Sequence, residues 1–445
     1  MRKNSSKLVL FCFVILLAFP NVGVASSGHE HHSTPKYKPV KRDTNVKTEL
    51  QLLLDATPAN GILKLKGKTY RGSIVISKPI TIEGSENTVI KSLNTIFTVT
   101  NTSDVTIRNV TLEADELAIY ASNVNNLHLE QLSIKETPAA IQIMKSQQIK
   151  INRLNIEGDQ GHFAQKKNAI AIHQAQKITI SNTNINNLLD GIYLEQIEDV
   201  NAFQNKVSGS RYAYHVMYGN DLNFSDNIAS QNMTGFMIMV AKHVHISNNQ
   251  IKEHNQLNSL GSYFYDVQHV IFAENQVEEN TIALDILNTN NLEIINNIFS
   301  TNGTVLQVRR SETTVVKKNR FFANILTARA DQYNFILERN MYDDFNGYDF
   351  NQDGIGDTSY IVSNSFGQWM VKKPVYQYYM GSPAVSVLNT LETTVQGNGN
   401  SLIIDDLPIM NQTEKVLKWN PKWTQFLICI ALLGSIGLGL RRWFV

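Results

Sequence analysis

The sequence predicts an all-β fold, a right-handed parallel β-helix built from coils of about 22 residues. The first observation behind this is a fixed step. Asn205, Asn227 and Asn249 lie 22 residues apart, and after one longer coil Asn275, Asn297 and Asn319 resume the spacing, with Asn340 one residue short. The second is the aliphatic–x–aliphatic run leading into each Asn: Leu222-Asn223-Phe224, Val244-His245-Ile246, Val270-Ile271-Phe272 and Leu292-Glu293-Ile294. Alternation with a period of two marks half-buried strands. The third is composition. Roughly one residue in nine is Asn, a residue poor in helices but suited to turns and stacked ladders. The step is too short for a propeller blade and lacks the leucine-rich repeat pattern.

Each segment then has a place in chain order. Met1–Lys7 is basic, an apolar run of about a dozen residues follows, and small residues lead to Ala25 and Ser26, so residues 1–26 read as a secretory signal peptide. Residues 27–43 form a linker containing Gly28-His29-Glu30-His31-His32. Lys47–Ala56 reads as a helix capping the solenoid, because an exposed end would be a sticky edge. Strand-like runs at Gly61–Leu65, Tyr70–Ile76 and Ile80–Glu83 open a β-helix that extends to about residue 340. The same frame recurs at Val105-Thr106-Ile107, Leu127-His128-Leu129, Ile149-Lys150-Ile151 and Ile178-Thr179-Ile180, giving ten or eleven coils and about 50 Å of solenoid. Residues 341–420 form a C-terminal extension. Trp423–Leu440 is apolar over a bilayer's width, and Arg441 and Arg442 follow it. Residues 421–445 therefore read as a transmembrane anchor with its C-terminus in the cytoplasm and the bulk of the chain outside.

Composition narrows the function classes. The formal net charge is +1, without the basic field of a nucleic-acid binder. The two cysteines, Cys12 and Cys429, both lie in the apolar terminal segments. The solenoid therefore offers no disulfide, thiolate metal ligand or Cys nucleophile. Paired carboxylates on one face, as a glycosidase requires, are not evident: Asp405 and Asp406 diverge, and Asp190 and Glu195 do not obviously oppose each other.

The register directs attention to one outer face. If Ile192, Val216, Phe236 and Ile238 point inward, the pleat turns Tyr193, Glu195, His215, Met217, Met237, Met239, Tyr263 and Tyr265 outward. His215, Met217, Met237 and Met239 then form a two-by-two block with neighbours about 5–7 Å apart. Imidazole and thioether donors suit Cu(I); the alternative is an apolar patch that a loop or partner covers. His29, His31 and His32 form either a tail that binds Cu(II) or Zn(II) or a polar linker. In Asp349-Phe350-Asn351-Gln352-Asp353-Gly354-Ile355-Gly356-Asp357, oxygen donors at Asp349, Asn351, Asp353 and Asp357 follow the early part of a calcium loop, although Tyr360 stands where Glu is usual. The other reading is a loop knit by Asx turns.

Three segments carry a family resemblance: Thr69–Ile74 with Lys78–Gly84, the central Arg211-Tyr212-Ala213-Tyr214-His215-Val216-Met217-Tyr218, and Asp353-Gly354-Ile355-Gly356-Asp357. With the repeats, they make most of residues 44–395 resemble the NosD family, the β-helical accessory proteins of nitrous oxide reductase maturation. The resemblance implies a non-catalytic role in assembling that reductase's copper centres. It also implies partnership with an ABC-type ATPase and permease, and receipt of copper from a chaperone lipoprotein. It favours copper at His215 and Met217. The C-terminal anchor departs from relatives that are soluble in the periplasm. The competing class is a cell-surface β-helix that binds or cleaves polysaccharide, as a lyase, epimerase or hydrolase, and a third reading is a plain scaffold or adhesin.

Overall fold

A computed structural model describes residues 47–158, 166–331, 335–363, 366, 369–370, 373–379, 382–394 and 403–410. The signal segment 1–26, the linker 27–43 with His29, His31 and His32, and the anchor 421–445 lie outside these residues. Among the described residues, no helix is long and apolar enough to cross a membrane.

Every strand from Ile62–Leu65 to Met341–Tyr342 pairs in parallel with the equivalent strand one coil away. One face consists of thirteen short strands, from Thr69–Arg71 to Met341–Tyr342, so the solenoid has about twelve coils rather than ten or eleven. The difference arises at the N-terminal end, where Thr69–Arg71 and Val89–Ser92 already stack although no Asn marks them.

The coil bends where single residues adopt left-handed backbone. The strand Tyr212–Ser225 turns at Tyr218 (φ 57°) and Asp221 (φ 56°), and Asn123 and Asn126, or Asn288 and Asn291, hold these corners in other coils. Asn tolerates this conformation better than most residues, which explains part of its abundance. Val240 (φ 50°) takes the first corner directly after Met239, an unusual place for a β-branched residue.

Ile, Val and Leu fill the interior, with Ile192, Val216, Phe236 and Ile238 fully buried as the alternation requires. Tyr214 and Phe236 stack in successive coils at 4.6 Å behind the His/Met face, with Phe224 edge-on to both. Two polar columns also run inside. In the first, the backbone N–H and side-chain N–H of Asn205 donate to Asn227 Oδ1, and the relation repeats through Asn249, Asn275, Asn297, Asn319 and Asn340. Each amide also donates to a strand carbonyl of the preceding coil, as Asn227 does to Ala202. The second column runs Ser210, Asn232, His254, Asn280, Asn302, Asn324.

Both ends are closed. The helix Glu49–Ala56 is capped by Thr48 and buries Leu50 and Leu54 on the first coil, while Gln51 Oε1 accepts the N–H of edge residue Val75 at 2.8 Å. At the other end, Ile403–Asp405 pairs antiparallel with Tyr360–Ser363. Buried Asp405 terminates the Asn ladder, accepting from Asn340 Nδ2 at 2.9 Å and from the Tyr342 hydroxyl at 3.1 Å. Asp406 instead accepts from Ser359 in solvent, so the two carboxylates diverge as expected.

Candidate functional site

The register brings the expected block together. Tyr193, His215, Met237 and Tyr263 are direct neighbours in successive coils, as are Glu195, Met217, Met239 and Tyr265. The methionines are half-buried rather than projecting freely. On a parallel sheet each side chain has a neighbour about 4.8 Å above and below, and that spacing shields them.

His215 is the most constrained member. Its ring lies edge-on between Tyr193 and Tyr212, with centroids at 4.8 and 4.9 Å. Nδ1 is 2.9 Å from Asp190 Oδ2, and Arg211 holds the same carboxylate through Nε (2.9 Å) and Nη2 (2.8 Å). Burial alone would raise the Asp190 carboxyl, but the hydrogen bonds from His215 and Arg211 outweigh it and hold the pKa below the ordinary value. An ionised carboxylate only accepts, so Nδ1 carries a proton, and in the neutral imidazole Nε2 is then the nitrogen with the lone pair. A metal-binding imidazole is commonly oriented in this way.

A second network adjoins the first. Glu195 Oε2 lies 2.9 Å from His173 Nδ1 and accepts from the Tyr193 hydroxyl at 3.1 Å. That hydroxyl is also 3.9 Å from Met217 Sδ. Burial, reinforced by the Glu195 charge, pushes the Tyr193 phenol well above its usual value, so it remains a neutral donor. Tyr193 and Glu195 were placed on this face by the register, but Asp190, Arg211 and His173 were not legible as partners of the block. Asp190 lies 25 residues from His215, three more than the coil period, so it reaches across from a different place in the cross-section.

This donor set fits a soft cation: one imidazole nitrogen with three thioether sulfurs and no thiolate. Among the described residues no group of three or more His, Cys, Asp or Glu could hold a metal ion, so any metal on this face would depend on methionine.

The acidic loop closes on its own backbone. Asp349 accepts from the amides of Asp353 and Gly354, Asn351 from Asp353, Asp353 from Ile355, and Asp357 from Phe350. The bonds from Asp353 to Asn351 and from Ile355 to Asp353 are Asx turns, and among the described residues no group of three or more His, Cys, Asp or Glu, these aspartates included, could hold a metal ion. An open groove of about 890 Å³ runs beside the His/Met face, lined largely by amides such as Asn123, Gln147, Gln174, Gln196 and Asn220. Several are paired along the coils, as Gln174 is with Gln196 at 2.9 Å.

Comparison with known proteins adds to this geometry. Residues 152–361 match the family described as periplasmic copper-binding protein (NosD), and residues 74–229 match the right-handed β-helix region. No curated protein matches the chain. Among solved structures it is similar to the periplasmic alginate epimerase AlgG, at 10% identity and TM-score 0.47 over 64% of this chain and 84% of that one. It is also similar to a family 28 exopolygalacturonase of Yersinia enterocolitica, at 9% identity and TM-score 0.46 over 64% and 73%. The surface adhesin PfbA of Streptococcus pneumoniae matches at 10% identity and TM-score 0.34 over 70% and 91%. These distant likenesses carry nothing about function. The family match is different in kind, because it spans Asp190, His215 and all three methionines: over residues 152–361 the chain resembles the NosD family, and its fold is a right-handed β-helix.

Proposed function

We propose that this chain is a non-catalytic copper-handling factor that works outside the cytoplasm in maturing the copper centres of nitrous oxide reductase. The observation that carries the reading is His215, whose Nδ1 is fixed by Asp190 beside Met217, Met237 and Met239 within the segment matching a copper-binding family. Copper is cargo here. The side chains accept Cu(I) through Nε2 and thioether sulfur, and no redox step or covalent intermediate is needed. Thioethers exchange readily, so a donor or acceptor can replace them one at a time across the open face. In this reading a chaperone lipoprotein supplies the ion, the reductase receives it, and an ABC ATPase and permease act as partners. The C-terminal anchor keeps the protein at the membrane surface.

The test uses the full chain with His29, His31 and His32 replaced by Ala, so that the tail does not compete. Cu(I) is titrated against a colorimetric chelator, and the copper content of co-expressed reductase is measured. Met217→Leu with Met239→Leu preserves side-chain size, and this pair should lose the Cu(I) held at His215 and yield copper-poor reductase. Unchanged affinity in the double variant would refute the reading.

A further inference from the structure

The outer face carries the His/Met arrangement twice. Met144 is the direct neighbour of His173, His173 of Glu195, Glu195 of Met217, and Met217 of Met239. These five side chains form one unbroken column, about 19 Å long at the spacing of parallel strands. The local chemistry repeats as well. His173 Nδ1 lies 2.9 Å from Glu195 Oε2, as His215 Nδ1 lies 2.9 Å from Asp190 Oδ2. The Tyr120 hydroxyl is 3.8 Å from Met144 Sδ, as that of Tyr193 is 3.9 Å from Met217 Sδ, and both pairs are 24 residues apart.

We propose that Met144 and His173 form a second Cu(I) station, joined to the first through Glu195. This deepens the copper reading above and rests on it. As a carboxylate Glu195 only accepts, so His173 donates from Nδ1 and offers Nε2 to the metal. Met144, half-buried in the adjacent coil, supplies a thioether. Between the stations, Glu195 places a negative charge where a monovalent cation would pass, and Tyr193 holds that carboxylate in place. Copper would move along the column by ligand exchange, with no change in oxidation state and no net proton transfer.

The experiment titrates Cu(I) into the full chain carrying H29A/H31A/H32A. Two equivalents are expected. M144L/H173Q should retain one and M217L/M239L should retain the other, whereas E195Q should weaken the Met144–His173 equivalent by about 10–100-fold. Unaltered stoichiometry in M144L/H173Q would overturn the second station and leave the first intact, while unaltered binding in M217L/M239L would count against the first. Should M144L/H173Q fail to fold, the background protein with methyl-labelled methionine provides the answer, using Ag(I) as probe. A Met144 methyl resonance that moves with Ag(I) supports the station, and one that stays fixed overturns it.

Discussion

Two kinds of column run along this solenoid, one inside and one outside, and they obey different rules. The inner one repeats Asn from Asn205 to Asn340, because every coil must satisfy the same backbone groups in the same geometry. The outer one changes at nearly every step, from Tyr193 to His215, Met237, Tyr263 and Asp285, although the backbone beneath it is equally regular. Repetition therefore marks where the chain serves its fold, and departure from repetition marks where chemistry has been placed. The second inner column sharpens the contrast, because His254 interrupts its asparagines without serving any outer face.

His254 gives the largest expected effect. Its Nδ1 accepts from the Asn232 amide at 3.1 Å, so the proton sits on Nε2, which is buried without a partner. Burial pushes its pKa down from 6.5 to about 3. Below pH 6.5 the unfolded chain takes up a proton that the folded one refuses until about pH 3. Stability is thus fully present above pH 6.5 and falls by about 1.4 kcal/mol per pH unit below it, roughly 5 kcal/mol across the window. Denaturant unfolding between pH 7 and 4 should show a steeper decline in the native chain than in His254→Asn, where the part left is that of other groups such as His128, whose pKa burial also lowers. Equal slopes would mean that His254 is solvated.

The main inner ladder comes next. Asn249→Ala strips the backbone and side-chain N–H groups of Asn227 of their acceptor and removes the Nδ2 donor to the carbonyls of Phe224 and Ser247, while the backbone N–H at position 249 still donates to Asn275 Oδ1. At 1–3 kcal/mol per buried group left unsatisfied, the loss should reach about 3 kcal/mol or more in a denaturant melt. The outer face should respond in binding instead. Asp190→Asn leaves the metal donors in place but frees the His215 tautomer, so Cu(I) affinity should fall about 10–100-fold by chelator competition. A small effect on binding with a large one on stability would assign Asp190 to the fold. Gln196→Ala should do least, within about 0.5 kcal/mol, because the Gln174–Gln196 pair is exposed.

This contrast also explains what was legible in the sequence. The 22-residue step and the alternation disclosed the ladder, the inward aliphatics and the pairing of His215 with Met237, since each depends on one repeated spacing. The second station was hidden because Met144 and His173 are 29 residues apart, in a coil enlarged between Glu157 and Ile170. Asp190 was hidden for a related reason: its bond to His215 runs diagonally and follows no period. Asp405 could not be foreseen as the ladder's last acceptor, because it returns 65 residues after Asn340.

The central claim is that sulfur and imidazole from one outer face hold the metal. Copper K-edge X-ray absorption on the H29A/H31A/H32A chain, loaded with one equivalent of Cu(I), addresses it most directly. The account predicts a shell dominated by sulfur with an imidazole nitrogen, with the sulfur lost in M144L/M217L/M237L/M239L. A shell of nitrogen and oxygen alone, or one unaffected by those four substitutions, would contradict it.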